Sequence, residues 1–380
     1  MINPTRRAII GAVAASSLAP LLRPSAAGAA APATGKQAPG FYRYKVGGFE
    51  CTSLNDGALT HPITPEYVTN VSKDQVIAAA EAAYFPKDMV ACPYNPQVIN
   101  TGSKLLLIDT GWGPGVDPAV GQVLRNMVAA GIDPGTVDTV IISHFHRDHI
   151  NGLRKADGAL AFPNAEIKVP APEWAFWMSD DNMSKASGNM MQGNFANARK
   201  MFAGLADRVT KYEWGQEVVP GITAIETPGH TPGHTSFAVQ SGPARVLIQS
   251  DVTNIPALFV RHPDWHVMYD VEPDLAARTR HRFFDMASAE KALIVGFHFP
   301  FPSLGQIERD GAGYRRCRPL GTRSFRSDDL PERDRPHRLA RMRGHDHDFL
   351  CSWAWSGLVS MWAQPALVAQ NSQARQVSVE

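Results

Sequence analysis

The sequence predicts an α+β protein in which two stacked mixed β-sheets carry helices on their outer faces, an αββα sandwich. Two observations predict it. Patterns typical of strands and helices alternate through both halves of the 380 residues, without an obvious short-period repeat. Residue types that bind metal ions also recur at the predicted ends of several strands, which is how two stacked sheets place ligands along one rim. The length allows a large apolar core.

The individual elements follow from local patterns. Alternating apolar residues predict strands, and Gly47-Gly48 between the first two strands marks a hairpin. Apolar residues with helical spacing predict amphipathic helices. The predicted strands are 41–46, 49–54, 97–100, 104–109, 137–142, 165–169, 222–226, 236–239, 245–249 and 292–297. The predicted helices are 73–83, 116–130, 172–178, 194–205 and 274–289.

Residues 1–30 have the pattern of an export signal. Thr5-Arg6-Arg7 precedes an apolar run over residues 8–22, and Ala27-Gly28-Ala29 fits a signal-peptidase site. The paired arginines are typical of a twin-arginine signal, which predicts a periplasmic or secreted protein. A membrane anchor is the alternative, but the run is short and poor in Leu and Ile. No later segment approaches a membrane span, so we expect no membrane association after the signal is removed.

The strongest functional motif is His144-x-His146-x-Asp148-His149, which follows the predicted strand 137–142. Neutral imidazole is the commonest protein ligand for zinc, and a carboxylate suits the same metals. After a strand, a loop would splay these side chains so that His144 and His146 reach one ion. Asp148 and His149 would then face a second ion. A His-rich surface turn is the alternative, and the position after a buried strand argues against it.

Three further sites supply the remaining ligand types. The doubled Pro-Gly-His segment contains His230 and His234, where Gly and Pro force tight loops that can present an imidazole. Asp251 follows the strand 245–249, and His298 follows the strand 292–297. Singly, each could be a turn histidine, a helix-capping Asp or a buried His. Together they all lie at strand ends, which predicts one metal centre.

These residues resemble the metallo-β-lactamase-fold hydrolases, and most of all the methyl parathion hydrolase-like and lactonase branch. The resemblance covers about residues 41–314, which we take as the hydrolase domain. Supporting stretches are Asn55-Asp56-Gly57, Ile108-Asp109-Thr110-Gly111, Ala161-Phe162-Pro163-Asn164-Ala165, the doubled Pro-Gly-His segment and His298-x-Pro300-Phe301-Pro302.

The resemblance implies a complete ligand set for two divalent ions. His144, His146 and His230 should hold one ion, Asp148, His149 and His298 the other, and Asp251 should bridge them. The first histidine of the doubled segment is the ligand in relatives, so His234 is expected to support the site instead. Zinc is the default metal, with manganese, iron and cobalt left open. The catalytic residues would be Asp251 and Asp148, with Asp148 orienting a metal-bridging hydroxide and carrying a proton.

Substrate choice would come from the walls of the cleft. The aromatic segment 172–178 matches a family segment that lines it. The expected substrate-binding residues are Trp177, Asn254, Tyr269, Trp112 and Phe195. An apolar entrance suits small, neutral, hydrophobic substrates. The formal net charge of +1 gives no reason to expect nucleic acid as a partner.

The predicted function is therefore hydrolysis of carboxyl esters or lactones. Organophosphate triester hydrolysis is the close alternative, because the same centre and the same neutral cleft would serve it. Two alternatives belong to other functional classes: an oxidoreductase on this fold, and a metal-binding protein without catalytic activity. Relatives often form homodimers, so monomer and homodimer are both open.

Two features stay outside this scheme. The four cysteines form no metal-binding pair, so buried or free thiols are expected, although an exported protein could form a disulfide such as Cys51–Cys92. Residues 315–380 change character, with ten arginines and no lysine over residues 315–343. This tail resembles a frame-shifted reading of the expected end, which predicts a disordered segment. A basic interaction tail is the functional alternative.

Overall fold

A computed structural model describes residues 37–317. The predicted export signal, and the predicted tail beyond Cys317, lie outside the described residues. The strands are β1 (Phe41–Val46), β2 (Phe49–Leu54), β3 (Gly57–Pro62), β4 (Met89–Tyr94), β5 (Gln97–Asn100), β6 (Leu105–Ile108), β7 (Thr139–Ile141), β8 (Glu166–Pro170), β9 (Val209–Tyr212), β10 (Glu217–Val219), β11 (Ile222–Glu226), β12 (Thr235–Ser241), β13 (Ala244–Ser250), β14 (Leu293–Gly296), β15 (Leu304–Asp310) and β16 (Gly313–Cys317). The α-helices are α1 (Lys73–Ala82), α2 (Val123–Ala129), α3 (Arg147–Ile150), α4 (Ala171–Trp177), α5 (Asp180–Lys185), α6 (Asn189–Phe202), α7 (Pro256–Phe259) and α8 (Pro273–Ala289).

Two seven-stranded mixed sheets form the frame, which confirms the predicted fold class. Their strand orders are β1-β2-β5-β6-β7-β8-β9 and β10-β11-β12-β13-β14-β15-β16. Strands β6 to β9 run parallel to one another, β13 is parallel to β14, and the other pairs are antiparallel. Strands β3 and β4 form a separate two-stranded antiparallel sheet, with α1 in the connection between them.

The apolar core has a layer between the sheets and a layer outside each. Leu106 and Ile141 of the first sheet face Phe237 of the second in the central layer. Outside the first sheet, α2, α4 and α6 cover the strands. Outside the second sheet, α8 packs through Phe283 and Phe284. Alternation along each strand sends successive side chains into different layers, as the period of two requires.

One predicted helix is much shorter than expected. The sequence pattern predicts residues 116–130, but α2 begins only at Val123, and Val116 is exposed. Gly121, inside the predicted range, adopts a positive φ angle, which interrupts a right-handed helix. The Asp56 carboxylate then accepts a hydrogen bond from the Val123 N–H at 3.0 Å, and this bond sets the helix start.

Other differences are smaller. The remaining predicted elements are present, with ends displaced by a few residues, as is usual for helix and strand termini. The prediction missed strands β3, β4, β9, β10, β15 and β16, which are short or carry Gly, Pro and charged residues. Strand β16 runs three residues past the predicted domain end at Tyr314. Cys51 and Cys92 are free thiols. No helix of the described part is long and apolar enough to cross a membrane.

The topology brings the polar segments to one edge. Strands β13 and β14 are parallel, so Asp251 and His298, which follow them, emerge on the same side. The 143–149 segment follows β7 in the first sheet, and the doubled Pro-Gly-His segment links β11 to β12 in the second. The edge therefore collects loops from both sheets.

The buried carboxylate of Glu173 joins two of these loops. Its Oε1 accepts hydrogen bonds from Phe145 N at 2.8 Å and Trp177 Nε1 at 2.6 Å. Its Oε2 accepts from Thr231 Oγ1 at 2.8 Å and Gly233 N at 2.9 Å. A Cβ on Gly233 would lie 2.1 Å from Glu173 N, so only glycine permits this approach. Glu173 thus fixes the two histidine-bearing loops relative to α4.

We expect Glu173→Ala to lower the free energy of unfolding by more than about 2 kcal/mol, because a buried donor left without an acceptor costs about 1–3 kcal/mol. Urea denaturation followed by circular dichroism measures this. Glu290→Ala is the control, since it removes a single ion pair to Arg245 at the surface and should change stability by less than about 0.5 kcal/mol. Equal losses in the two variants would contradict the role of Glu173.

Candidate metal centre

The structure brings the seven predicted ligands together in two groups. The first group is His144, His146 and His230, and the second is Asp148, His149, Asp251 and His298. Within each group, one ligand atom per residue lies within 4.8 Å of the others. Five of the seven residues are buried, whereas His146 and Asp148 are partly exposed, with 14% of the Asp148 side chain accessible.

Asp251 lies between the two groups. Its Oδ2 is 2.8 Å from His298 Nε2 and 3.4 Å from His230 Nε2. Its Oδ1 is 3.3 Å from His149 Nε2. One carboxylate therefore contacts histidines of both groups, because the end of β13 lies between the loops that follow β7, β11 and β14.

Hydrogen bonds orient three of the imidazoles in the same way. The Nδ1 atom of His149 lies 2.8 Å from Asp109 Oδ2, and that of His230 lies 2.9 Å from Asp270 Oδ1. The Nδ1 atom of His298 lies 2.9 Å from the carbonyl oxygen of Pro93. With Nδ1–H donating to an oxygen, each Nε2 is left as the ligand atom, which is the usual arrangement around a protein metal site.

Several buried atoms in the centre lack hydrogen-bond partners within the described residues. These atoms are His144 Nε2, His149 Nε2 and Asp251 Oδ1. Buried polar atoms are normally satisfied, so unpaired lone pairs that converge on one place indicate a ligand. Imidazole nitrogen and carboxylate oxygen are the donors that zinc and related divalent ions take. The residues present therefore fit two such ions.

The electrostatics differ between the groups. Burial, followed by the nearby charge of His149, holds the pKa of His144 well below its ordinary value, and burial does the same for His146. These imidazoles are therefore neutral, the form that binds metals. In the second group burial opposes protonation, but the combined effect of nearby groups raises the pKa of both His149 and His298: Asp251 with Asp109 and Asp148 at His149, and Asp251 with Cys92 at His298.

The structure separates the roles of the two histidines in the doubled segment. Both nitrogens of His234 are engaged: Nε2 accepts from Asp251 N at 2.9 Å, and Nδ1 donates to the carbonyl oxygen of Thr227 at 2.9 Å. Burial lowers the pKa of His234 to about 3, so the ring is neutral. His234 thus holds the Asp251 backbone in place, while His230 faces the other ligands.

A cavity of about 410 Å³ opens onto the centre. Of the five residues predicted to bind substrate, Trp112, Asn254 and Tyr269 lie on its wall. The wall also has a polar side that the sequence analysis missed, formed by Arg147, Asn189 and Asn194. Further lining residues that were missed are His61, Tyr67, Cys92, Tyr94 and Met190.

The prediction that Trp177 and Phe195 line the cleft is wrong. Trp177 is fully buried and Phe195 is 1% exposed, and their rings pack 4.7 Å apart in the core outside the first sheet. The reason is the bond from Trp177 Nε1 to Glu173, which turns the indole inward. The Trp177 ring packs edge-on against the ring of His146, with 6.2 Å between the ring centroids, so it contacts a predicted ligand from the core.

Asp109, Asp270 and Glu173 also escaped prediction as parts of the centre. Each contacts a ligand-bearing segment from a distant part of the chain. Asp109 had a weak signal, since it follows the apolar strand β6 and precedes a glycine. Asp270 and Glu173 had none, because a single carboxylate in a loop or a first helical turn is common on any surface.

Comparison with known proteins agrees with this geometry. The metallo-beta-lactamase superfamily model matches residues 90–298. The N-acyl homoserine lactonase AttM of Azorhizobium caulinodans is 32% identical over 201 residues, which cover 49% of this chain and 72% of that protein.

Two solved structures extend the comparison to the fold. The hydrolase AbOPH of the beta lactamase superfamily has a TM-score of 0.69 and 29% identity, covering 74% of this chain and 98% of its own. AidC, a dizinc quorum-quenching lactonase, has a TM-score of 0.69 and 24% identity, covering 73% and 96%. The family model and the two-group centre lead to one conclusion: the chain belongs to the metallo-beta-lactamase superfamily and is a metal-dependent hydrolase.

Proposed function

We propose that the protein hydrolyses lactones and related carboxylic esters with two divalent metal ions, most simply zinc. The observation that carries the proposal is the position of Asp251, whose two oxygens face His149 in one group and His230 in the other. The similarity to AttM supports a lactone substrate. Export from the cytoplasm and homodimer formation stay predictions from the sequence.

The ligands divide between the ions by distance. His144, His146 and His230 would hold one ion, and Asp148, His149 and His298 the other. Asp251 would bridge them, since it is the residue that contacts both groups. Two such ions supply Lewis-acid activation of a carbonyl and a water molecule whose pKa is lowered towards neutrality.

Asp148 is suited to handle the proton of the attacking water. It lies on the cavity wall, and its Oδ2 is 3.5 Å from both His149 Nε2 and His298 Nε2. Burial opposes its ionisation, but these two histidines lower its pKa, so the carboxylate is ionised and can accept a hydrogen bond.

Tyr269 is suited to donate a hydrogen bond to the substrate. Burial, with added charge from Cys92 and Asp148, raises its pKa to about 12, so the phenol stays protonated at neutral pH. A protonated hydroxyl on the cavity wall can stabilise negative charge that develops on the carbonyl or leaving oxygen.

The cavity suits a small substrate with both apolar and polar parts. Trp112, Tyr67 and Tyr269 offer aromatic surface, whereas Arg147, Asn189 and Asn194 offer hydrogen-bond donors. A lactone with an amide-linked acyl chain presents this combination. The sequence had predicted an apolar entrance, whereas one side of the cavity wall is polar.

We expect the purified protein to contain two metal ions per chain and to hydrolyse dihydrocoumarin and p-nitrophenyl acetate faster than methyl parathion. Elemental analysis and initial rates measure this, and removal of metal by a chelator should abolish turnover until zinc is restored. Faster hydrolysis of methyl parathion would favour the phosphotriesterase alternative. Two ions without turnover of any of the three would favour a silent metal-binding protein.

We expect Asp251→Ala to release at least one ion per chain and to lower kcat by more than about 10²-fold, because the variant loses the ligand shared by both groups. Metal content and initial rates on the same sample measure both effects. Asp181→Ala, which removes an exposed carboxylate paired with Lys185, is the matched control. A fully active Asp251→Ala variant with two ions would exclude the proposed centre.

We expect Tyr269→Phe to keep both ions and to lower kcat by about 10–10²-fold, somewhat less than the loss of a full oxyanion-hole donor. The effect should fall on kcat more than on KM, because the developing charge exists only in the transition state. Unchanged kcat on a lactone would show that the hydroxyl takes no part in the reaction.

A further inference from the structure

Arg280 of α8 is a fully buried cation next to the metal centre, with 1% of its side chain exposed. Its Nε donates to the carbonyl oxygen of Val252 at 3.0 Å. Its Nη1 donates to the carbonyl oxygens of Pro263 at 2.6 Å and Trp265 at 2.9 Å. Burying a charge costs several kcal/mol unless it is paired and hydrogen-bonded, so this environment needs an explanation.

The remaining nitrogen of Arg280 meets the carboxylate that orients a predicted ligand. Nη2 lies 3.4 Å from Asp270 Oδ2, and Asp270 Oδ1 lies 2.9 Å from His230 Nδ1. The side chain of Asp270 is 1% exposed, so both charges are buried. Arg280, Asp270 and His230 therefore form one continuous chain of polar contacts that ends at the first ligand group.

The same guanidinium also supports Asp251. Val252, whose carbonyl Arg280 holds, is the next residue after Asp251. The contacts to Pro263 and Trp265 fix the segment that leads to Asp270. The segment between β13 and α8 is thus tied to α8 at four residues by one side chain.

The other oriented ligands lack such a cation among the described residues. His149 is oriented by Asp109, whose second contact is the neutral Ser143 hydroxyl, and His298 is oriented by the Pro93 carbonyl. The two halves of the centre are therefore supported differently. Removing a residue that hydrogen-bonds to a metal ligand typically lowers the metal affinity by about 10–100-fold. Here the loss would affect the ion held by the group that contains His230.

We propose that Arg280 is a positioning residue that, through Asp270, selectively strengthens the hold of His144, His146 and His230 on their metal ion. The proposal rests on the two-ion function above. Arg280 neutralises the buried Asp270 carboxylate and fixes its position, so that His230 Nε2 stays directed at the ion. Among the described residues, His149 and His298 take their orienting contacts from Asp109 and the Pro93 carbonyl instead, so the support that runs through Asp270 is specific to His230.

The test measures metal affinity without substrate. Zinc is titrated into the metal-free full-length protein in competition with a chromophoric chelator, which yields one dissociation constant for each of the two ions. We expect Asp270→Asn to weaken the binding of one ion by about 10–100-fold and to leave the binding of the other within about threefold. Arg280→Met should weaken the binding of the same ion most, with a smaller loss at the second ion because it also frees the Val252 carbonyl next to Asp251. Arg280→Lys, which keeps the charge but loses the planar fork, should fall between Arg280→Met and the wild type.

Control variants assign the weakened ion. Arg282→Met, two residues along α8, removes an exposed arginine that donates to the Glu226 carbonyl and should change neither constant. His298→Ala should remove the ion of the second group, and Asp270→Asn should then still lower the affinity for the ion that remains. In a His146→Ala background, Asp270→Asn should not change the affinity for the remaining ion. If Arg280→Met does not fold, Asp270→Asn, which conserves volume, carries the test alone.

The outcomes separate this proposal from the function on which it rests. Unchanged constants, or an equal loss for both ions, would overturn the positioning role even if the variants were less stable. A wild-type protein that binds a single ion would overturn the two-ion function instead. In that case unchanged affinity for that ion in both Asp270→Asn and Arg280→Met would overturn the role of Arg280.

Discussion

The candidate metal centre depends on buried carboxylates that satisfy backbone and side-chain donors between distant loops. Glu173 is the clearest case, because its two oxygens accept four hydrogen bonds and join the loop after β7 to the loop between β11 and β12. These loops belong to different sheets. Without an acceptor in that position, the donors would be buried and unpaired. The two loops that carry the histidines of the first group would then no longer be held in a fixed relative position.

A second constraint is electrostatic. Asp251 lies among imidazoles from three loops, and its negative charge raises the pKa of His149 and His298. In the absence of metal, the protonated form of His149 and His298 is therefore favoured in the second group, whereas His144 and His146 of the first group are held neutral by burial. Metal binding would displace protons from His149 and His298.

The cavity wall shows where prediction from a pattern is weakest. Trp112, Asn254 and Tyr269 lie on the wall, but Trp177 and Phe195, which were expected there too, are in the core. The direction of an aromatic side chain on a helix depends on its polar contacts, and here Glu173 turns Trp177 inward. Arg147 had no distinguishing signal, because its neighbours Asn189 and Asn194 come from α6, far along the chain.

The sequence by itself determined the fold class and six of the seven candidate ligands, because strand periodicity and ligand residues at strand ends are local patterns. The choice of His230 over His234 came from the family resemblance. It did not determine the start of α2, which depends on the distant carboxylate of Asp56. Only the tertiary structure assigned Asp109, Asp270 and Arg280 to the support of those ligands. The physical reason is that a buried hydrogen bond joins residues from separate elements, and nothing in the sequence around either partner records the other.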